Sequence, residues 1–500
     1  MKKIASWLLV LCLLLSLAPA ALADDPVEIT IFMGSTRNMN EHTDKVRQWA
    51  IDNLGVDMNI IQTSGENFKQ QLALYITGGD IPDVIWMEDF NLFRSYAEEG
   101  VFMDIGEEIK NYPNLMAYQS PEVAARMMVD GHQYGIASED TEGMYVTALR
   151  KDWLDKLGLT MPTTLDELAE VFRAFTFKDP DGNGENDTYG YSSAFLWPFF
   201  GAFGVMPGYH TLNDEGKVLS NSISEEYRQS LAWLRDIYAE KVIDPEIFTM
   251  TTEQQYQKWV QGQMGVFTCW WSHPGNAVTR YGFVDLQPEG DVAYLTPPIG
   301  PNGKSGEIGL DPIIRSIGIS YKATPEKVAA ALKLLDSQAS SVGWRTFMYG
   351  PEGNFFEMDH DKDMTTWTWQ LEGKDKEGNV ITDMEVYKLM HHPFIQNQSY
   401  MLTDSFYNIL RRDAFEMATI CELVRDMFVG ISTPAYQEGY ADLEAFTNEM
   451  KIKFIMGEAS LETDWDAYVE QWLKNGGERV RQSQLEAYNA QNATSYEFAN

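Results

Sequence analysis

Cysteine is scarce in this chain of 500 residues, which contains three, at positions 12, 269 and 421. Cys12 lies inside an apolar N-terminal run and follows Leu11, whereas a lipid-attachment site needs a small residue directly before its cysteine. We expect that run to be removed, so Cys269 and Cys421 can form at most one disulfide. A fold that depends on a dense set of disulfides is therefore excluded.

Positive charge is scarce as well. The chain has 38 Lys and Arg residues against 74 Asp and Glu residues, which gives a formal net charge of −36. A surface of this sign repels phosphate backbones, so we do not expect nucleic acid as a partner. It also disfavours an acidic ligand, unless a local basic pocket overrides the field.

No apolar run long enough to span a membrane occurs in the chain. Residues 1–23 have the pattern of an export signal, with two early lysines, an apolar run over 7–17 and a small-x-small cleavage site at 21–23. We therefore expect an extracytoplasmic protein that starts at Asp24 and is secreted, periplasmic or held at the cell surface.

Sequence motifs of catalysis are missing too. The chain contains no GxSxG, no GxxxxGK[ST] and no GxGxxG, and the pair His391-His392 has no accompanying HExxH. Adjacent histidines point to different sides of a helix or strand, so this pair does not indicate a zinc site. The sequence therefore contains no motif that indicates an enzyme.

Residues 179–187 (DPDGNGEND) form the most informative stretch that is present. Gly184 stands at the sharp turn, position 6, and Glu185 at position 7 offers its backbone carbonyl. Oxygen-bearing side chains occupy positions 1, 3, 5 and 9 of an EF-hand-type loop, namely Asp179, Asp181, Asn183 and Asp187. Alternate positions on a tight loop converge on one point, so the pattern predicts a structural Ca²⁺ site.

The end of this loop departs from an EF-hand. Position 12 is Gly190, where an EF-hand has a bidentate glutamate. Thr188, a water or the Glu185 carboxylate would have to complete the coordination shell. The competing interpretation is a solvated Asp/Asn/Gly turn.

The order of the predicted elements indicates an α/β fold. Hydrophobic patterning predicts a strand over 27–32, a helix over 41–53, a strand near 58–61 and a further strand that ends at Trp86. Such a βαβ start favours a parallel sheet with ligands at the carboxyl ends of its strands. The C-terminal third has helical patterning, roughly over 403–428, 437–455, 464–475 and 478–490.

Three stretches resemble family 1 extracellular solute-binding proteins of ABC sugar importers. They are residues 79–85 (GDIPDVI), 150–159 (RKDWLDKLGL) and 179–190 (DPDGNGENDTYG). The third is similar to a large subgroup that includes alginate-binding proteins and polysaccharide-associated lipoproteins. The resemblance implies a two-lobe periplasmic-binding-protein-like fold with hinged lobes and a C-terminal helical portion. It also implies calcium in the loop, an oligosaccharide in the cleft and an ABC permease as partner.

On this basis we expect a monomer with two discontinuous lobes. The first lobe comprises residues 24–145 and about 310–400. The second comprises about 146–309 and 401–500, and contains the calcium loop at 179–190.

A sugar site needs aromatic faces for the C–H side of each ring and polar groups for the hydroxyls. Trp270 and Trp271 follow a predicted strand, and because neighbouring residues of a strand face opposite ways, we expect one to line the cleft and the other to pack. The further candidate ligand-binding residues are Trp86, Asp89, Trp197 and Arg37. Trp197 fits a plain core position equally well.

Two other functional classes stay open at this point. A secreted glycoside hydrolase would need two carboxylates at a set separation across the scissile bond, and counting acidic residues cannot exclude such a pair. The chain nevertheless lacks the eightfold repetition of a barrel hydrolase. A surface adhesin is the third class.

Overall fold

We analysed a computed structural model that describes residues 25–34, 41–63, 65–274, 283–353, 356–359, 364–367, 394–395 and 409–499. Arg37 and the segment with the pattern of an export signal lie outside the described residues. Within the described ranges, no helix combines the length and the apolar character that a membrane crossing requires.

The described strands contain two to seven residues each. They are Val27–Met33, Val56–Gln62, Val84–Met87, Met128–Val129, His132–Gln133, Gly135–Glu139, Tyr145–Arg150, Tyr189–Tyr191, His210–Leu212, Val218–Ser220, Met264–Trp270, Val292–Leu295, Glu307–Gly309, Ile313–Ile319, Phe356–Asp359, Met364–Trp367 and Leu423–Arg425.

The described α-helices are distributed along the whole chain. They are Glu41–Leu54, Gly65–Gly78, Phe90–Glu98, Pro113–Tyr118, Pro121–Arg126, Lys151–Lys156, Leu165–Phe177, Trp197–Gly201, Glu225–Ala239, Thr252–Val260, Phe283–Leu286, Pro325–Ala339, Ser341–Tyr349, Ile409–Ile420, Pro434–Met456, Trp465–Trp472 and Glu478–Asn492.

A five-stranded sheet, here called the N-terminal sheet, contains the predicted βαβ start. Val27–Met33 pairs in parallel with Val56–Gln62 on one side and with Val84–Met87 on the other. Ile313–Ile319 and Gly135–Glu139 extend the sheet with antiparallel pairing. Apolar side chains lie on both faces of this sheet, as expected where a parallel sheet is covered on both sides.

A four-stranded sheet, here called the central sheet, forms the second layered unit. Met264–Trp270 pairs antiparallel with Tyr145–Arg150 and in parallel with Tyr189–Tyr191, and Val292–Leu295 completes the sheet. The helix Leu165–Phe177 packs beside it and starts with a capping box. The Glu167 amide donates to the Thr164 hydroxyl at 3.2 Å, and the Glu167 carboxylate accepts from the Thr164 amide at 3.2 Å.

Within the described ranges, the chain crosses between the two sheets in the segments 140–144 and 296–312, and residues 140–142 of the first lie beside residues 310–312 of the second. The Leu310 amide donates to the Glu142 carbonyl and the Asp140 amide donates to the Pro312 carbonyl, both at 2.9 Å. Gly143 permits close packing of the first segment against the helix Ile409–Ile420, because a Cβ there would stand 2.1 Å from the Ala418 carbonyl oxygen.

The C-terminal portion differs from its predicted outline in one place. The patterning predicts one helix over 403–428, whereas the structure ends a helix at Ile420 and continues into the strand Leu423–Arg425. That strand pairs in parallel with Glu307–Gly309, more than 110 residues away, and a window of local sequence cannot reveal such a partner. Cys269 and Cys421 are both free thiols.

Candidate ligand-binding groove and calcium loop

Four aromatic side chains gather at one edge of the central sheet, and all are partly exposed. Tyr145 lies opposite Trp270 in the strand ladder, and their ring centroids are 5.5 Å apart at nearly a right angle. Phe195 lies 5.1 Å from Tyr145, and Trp197 lies 6.4 Å from it. We call Tyr145, Phe195, Trp197 and Trp270 the aromatic wall.

The strand Met264–Trp270 determines which of the two adjacent tryptophans joins this wall. Trp270 is partly exposed, whereas Trp271 keeps 5% of its surface accessible and packs edge-on against Phe415 at 4.9 Å. The structure therefore places Trp271 in the core and leaves Trp270 partly exposed. Ligand binding by Trp270 stays a prediction.

Three tyrosines lie beside the aromatic wall and add hydroxyl groups to this surface. Tyr436 and Tyr440 stack at 4.5 Å on the helix Pro434–Met456, and the Tyr209 hydroxyl donates to the Gly309 carbonyl at 2.9 Å. Burial, helped by nearby carboxylates that include Asp426 and Asp89, raises the pKa of Tyr436 to about 12. Tyr436 therefore keeps its proton at neutral pH and can donate a hydrogen bond.

Asp89 follows a strand of the N-terminal sheet, and its negative charge contributes, after larger effects, to the raised pKa of Tyr436. It follows the strand Val84–Met87 and caps the helix Phe90–Glu98, because its carboxylate accepts from the Leu92 amide at 2.9 Å. The side chain is exposed, so one carboxylate oxygen remains accessible beside the cap.

An ion pair stands on the same side as Asp89. Arg126 donates to both carboxylate oxygens of Asp311 at 2.8 and 2.6 Å, and its guanidinium lies 5.0 Å from the Phe90 ring centre. The Asp311 charge contributes to the raised pKa of Tyr209, after the larger effects of burial and Asp426. The aromatic wall on the central sheet and these charged side chains beside the N-terminal sheet are therefore candidates for the two sides of a ligand-binding groove, called the groove below.

Trp86 is not on the groove surface in this structure, contrary to expectation. It is fully buried, its indole N–H donates to the Phe394 carbonyl at 3.3 Å, and the Arg315 guanidinium lies 5.1 Å from its ring centre. Its strand lies between two neighbouring strands and is covered on both faces, so a tryptophan there packs in the core.

Sequence reasoning missed Tyr145, Phe195, Tyr209 and Tyr436. Tyr145 begins the strand Tyr145–Arg150, and its position opposite Trp270 follows only from the antiparallel register. Tyr436 and Tyr440 are four residues apart on a helix, so they lie on one helix face. This spacing does not reveal which part of the protein that face contacts.

The predicted calcium loop is folded around its own carboxylates. Asp179 accepts from the amides of Gly182 and Gly184 at 2.9 and 3.1 Å. The Asn183 side-chain amide contacts Asp181 at 2.8 Å and both oxygens of Asp187 at 3.3 Å. Four of the predicted ligands, those at positions 1, 3, 5 and 9, therefore lie close together.

Electrostatics shows how these carboxylates affect one another. Burial, a hydrogen bond with Asp179 and the negative charge of Asp187 raise the pKa of Asp181. In the described ranges, no group of three or more His, Cys, Asp or Glu side chains is arranged to hold a metal ion as the side chains stand. The oxygen donor set and the mutual repulsion fit a hard cation, whose charge would neutralise these carboxylates.

Glu185 and Thr188, two further candidate calcium ligands, make hydrogen bonds of their own. The Glu185 amide donates to the Asn183 side-chain oxygen at 2.6 Å, and the Glu185 side chain is exposed. The Thr188 hydroxyl is buried and donates to the Phe175 carbonyl at 2.7 Å, so it is already engaged with the preceding helix.

The family model described as "bacterial extracellular solute-binding protein" matches residues 41–354. The chain is 24% identical over 448 residues to the polygalacturonan/rhamnogalacturonan-binding protein YtcQ of Bacillus subtilis, which covers 84% of this chain and 83% of YtcQ. It is 28% identical over 323 residues to the fructooligosaccharide ABC transporter substrate-binding protein FusA of Streptococcus pneumoniae, which covers 59% of this chain and 58% of FusA.

Solved structures have a similar fold. The alginate-binding protein AlgQ2, solved without calcium ion, matches with a TM-score of 0.69 at 20% identity, over 94% of this chain and 99% of AlgQ2. FusA in complex with kestose matches with a TM-score of 0.69 at 20% identity, over 93% of this chain and all of FusA. An EF-hand mutant of FusA matches with a TM-score of 0.65 at 21% identity, over 93% of this chain and all of that one. The predicted periplasmic-binding-protein-like α/β fold is confirmed.

Proposed function

The chain belongs to the bacterial extracellular solute-binding proteins, and we propose that it is the extracytoplasmic substrate-binding component of an ABC transporter, with an oligosaccharide as its ligand. The observation that carries this proposal is the cluster of partly exposed aromatic rings on the central sheet, together with the exposed carboxylate of Asp89, whose charge acts on nearby Tyr436. The names of the relatives YtcQ and FusA, a polysaccharide-binding and an oligosaccharide-binding protein, support the ligand class.

The chemistry of the groove suits sugars. The C–H face of a pyranose or furanose ring packs on the aromatic wall, while Asp89, Tyr209 and Tyr436 are within reach of hydroxyl groups. A protonated tyrosine both donates and accepts, as a sugar hydroxyl does. No covalent step is needed, because recognition consists of stacking and hydrogen bonding.

The two lobes are assigned as the sequence predicts, with residues 24–145 and about 310–400 in the first and about 146–309 and 401–500 in the second. The separate N-terminal and central sheets, joined through paired crossing segments beside Gly143, support this division. Rotation about these segments would close the lobes on the ligand and shift an open–closed equilibrium.

The cellular setting follows from the family and the N-terminal sequence. The protein acts outside the cytoplasm as a monomer, after cleavage of the export signal near Ala23, and delivers its ligand to a membrane permease. Nucleic acid is not among its partners, because the acidic surface repels the phosphate backbone.

The loop at 179–190 holds one Ca²⁺ ion as a structural clip. Asp179, Asp181, Asn183 and Asp187 supply side-chain oxygens, and Glu185 supplies its backbone carbonyl. The bound ion neutralises the crowded carboxylates and ties the end of helix Leu165–Phe177 to the strand Tyr189–Tyr191. The solved structures of AlgQ2 without calcium ion and of an EF-hand mutant of FusA support a calcium role in similar proteins.

A panel of neutral and acidic oligosaccharides tests the function. The panel contains gluco-, galacto-, xylo-, manno- and fructo-oligosaccharides together with galacturonate and alginate oligomers. Saturable binding of at least one member, recovered intact by mass spectrometry, is expected. Cleavage of the bound sugar would favour the glycoside hydrolase class instead, and binding of no member would remove the receptor function.

A further inference from the structure

A lysine from a neighbouring helix places a positive charge against the calcium loop. Lys156 is the last residue of the helix Lys151–Lys156, and its ammonium donates to the Pro180 carbonyl at 2.7 Å. Pro180 is buried and stands at position 2 of the loop, directly after the predicted ligand Asp179. The ammonium therefore contacts the loop backbone at the end where the set of predicted ligands begins.

The turn around Gly182 leaves room for this ammonium. A Cβ at Gly182 would stand 2.7 Å from the Lys156 Nζ atom, and the φ of this glycine is +79°, in the left-handed region. The Gly182 amide donates to the Asp179 carboxylate at 2.9 Å. Lys156 and Asp179 therefore lie next to the same turn of the loop.

The charge of Lys156 acts on the carboxylates of the loop. Burial alone would raise the pKa of Asp179, whereas hydrogen bonds within the loop, followed by the Lys156 charge, lower it overall. Asp181 is repelled by the negative charges of Asp187 and Asp179. A positive charge beside these three carboxylates reduces their repulsion, so it stabilises the folded loop while no ion is bound.

The same charge has the opposite effect on a bound cation. The predicted Ca²⁺ ligands are at positions 1, 3, 5, 7 and 9 of the loop, so the position-2 carbonyl that Lys156 contacts is not among them. Lysine and ion can be present together, and their like charges repel each other. The affinity of such loops depends on the charge around the ion, and extracellular modules bind Ca²⁺ with Kd values of about 10⁻⁴–10⁻³ M.

We propose that Lys156 is an internal counter-ion of the calcium loop, which stabilises the loop in the absence of Ca²⁺ and lowers its affinity for the ion. The inference rests on the proposed calcium site. It adds a residue from outside the loop that determines how tightly this site binds.

Calorimetric titration with Ca²⁺ and thermal melting in a chelator test the proposal. Lys156→Met keeps an apolar stem of similar length but removes the charge. It should tighten Ca²⁺ binding about three- to tenfold, and it should lower the melting temperature in chelator by ~1–3 °C. A purely structural role of Lys156 predicts the second effect without the first. Lys156→Arg retains the charge and should bind Ca²⁺ as wild type does.

Lys151→Met is the matched control, since it removes the same charge from the same helix. The Lys151 ammonium is paired with Asp155, and five residues of helix separate it from Lys156 by roughly 140° around the axis. This variant should leave calcium affinity unchanged.

Unchanged or weaker Ca²⁺ binding by Lys156→Met, or an equal gain in Lys151→Met, overturns the inference while the calcium site stands. If wild type binds no Ca²⁺, the calcium site and the inference both fail, and the receptor function is still decided by the oligosaccharide panel.

Discussion

Adjacent tryptophans with opposite roles give a sharp test of the groove. Trp271 is 5% exposed and packs against Phe415 in a cluster that also contains Met144 and Cys269. Truncation of a buried aromatic side chain typically costs ~3–5 kcal/mol in the free energy of unfolding. We therefore expect Trp271→Ala to lower the urea midpoint strongly.

Trp270 already has part of its surface in water, and its main neighbour is Tyr145 at 5.5 Å. Trp270→Ala therefore loses less transfer free energy, about 1–2 kcal/mol. It also removes one face of the aromatic wall, so oligosaccharide affinity should fall at least about tenfold. The assays are urea unfolding followed by circular dichroism and calorimetric titration of each variant. Equal stability losses in the two variants, or unchanged affinity in Trp270→Ala, would refute the reasoning.

Three further predictions concern the calcium loop, a buried carboxyl and the thiols. Saturating Ca²⁺ at about 100 times Kd should stabilise wild type by ~2.7 kcal/mol. Asp179→Ala should lower the melting temperature and abolish its dependence on calcium. If a chelator leaves the wild-type melting curve unchanged, the loop does not hold a structural Ca²⁺ ion. Burial raises the pKa of Glu307 to about 8, so the folded protein keeps a proton that the unfolded chain releases near pH 4.5. The free energy of unfolding should therefore fall by ~1.4 kcal/mol per pH unit between those two values. Glu307→Gln should remove that part of the slope when unfolding is measured from pH 5 to 8, and an unchanged slope would contradict the prediction. Burial also raises the pKa of Cys421 to about 12 and that of Cys269 well above its usual range. Iodoacetamide at pH 8 should therefore label the buried Cys269 only in denaturant, and the half-buried Cys421 much more slowly in the native protein than in denaturant, as mass spectrometry would show. Native labelling of Cys269, or equal rates for Cys421 in the two states, would contradict this.

Local signals in the sequence predicted much of the fold. The capping box at Thr164 and Glu167 and the proline after Thr324 mark helix starts that the structure shows at Leu165 and Pro325. These signals act over three or four residues, so one window of sequence contains the whole interaction. The glycine and carboxylate spacing of the 179–190 loop is local in the same way.

The groove could be predicted only in part, because it is assembled from distant segments. Alternation along one strand separated Trp270 from Trp271. The same reasoning placed Trp86 at the end of a strand but could not show that Phe394 and Arg315 cover it. Tyr436 owes its position to helix packing, and His210 to hydrogen bonds with Asp426 and Met427, more than 200 residues away, for which a single sequence has no signal.

Hydrogen exchange read by mass spectrometry, with and without the tightest-binding panel sugar, tests the central claim most directly. If the sugar is bound between the two walls, hydrogen exchange should slow in all three segments that form them, 87–92, 193–198 and 434–441. The sugar itself should be recovered chemically unchanged. Slowed exchange on one wall alone, or at a surface away from the groove, would contradict the account.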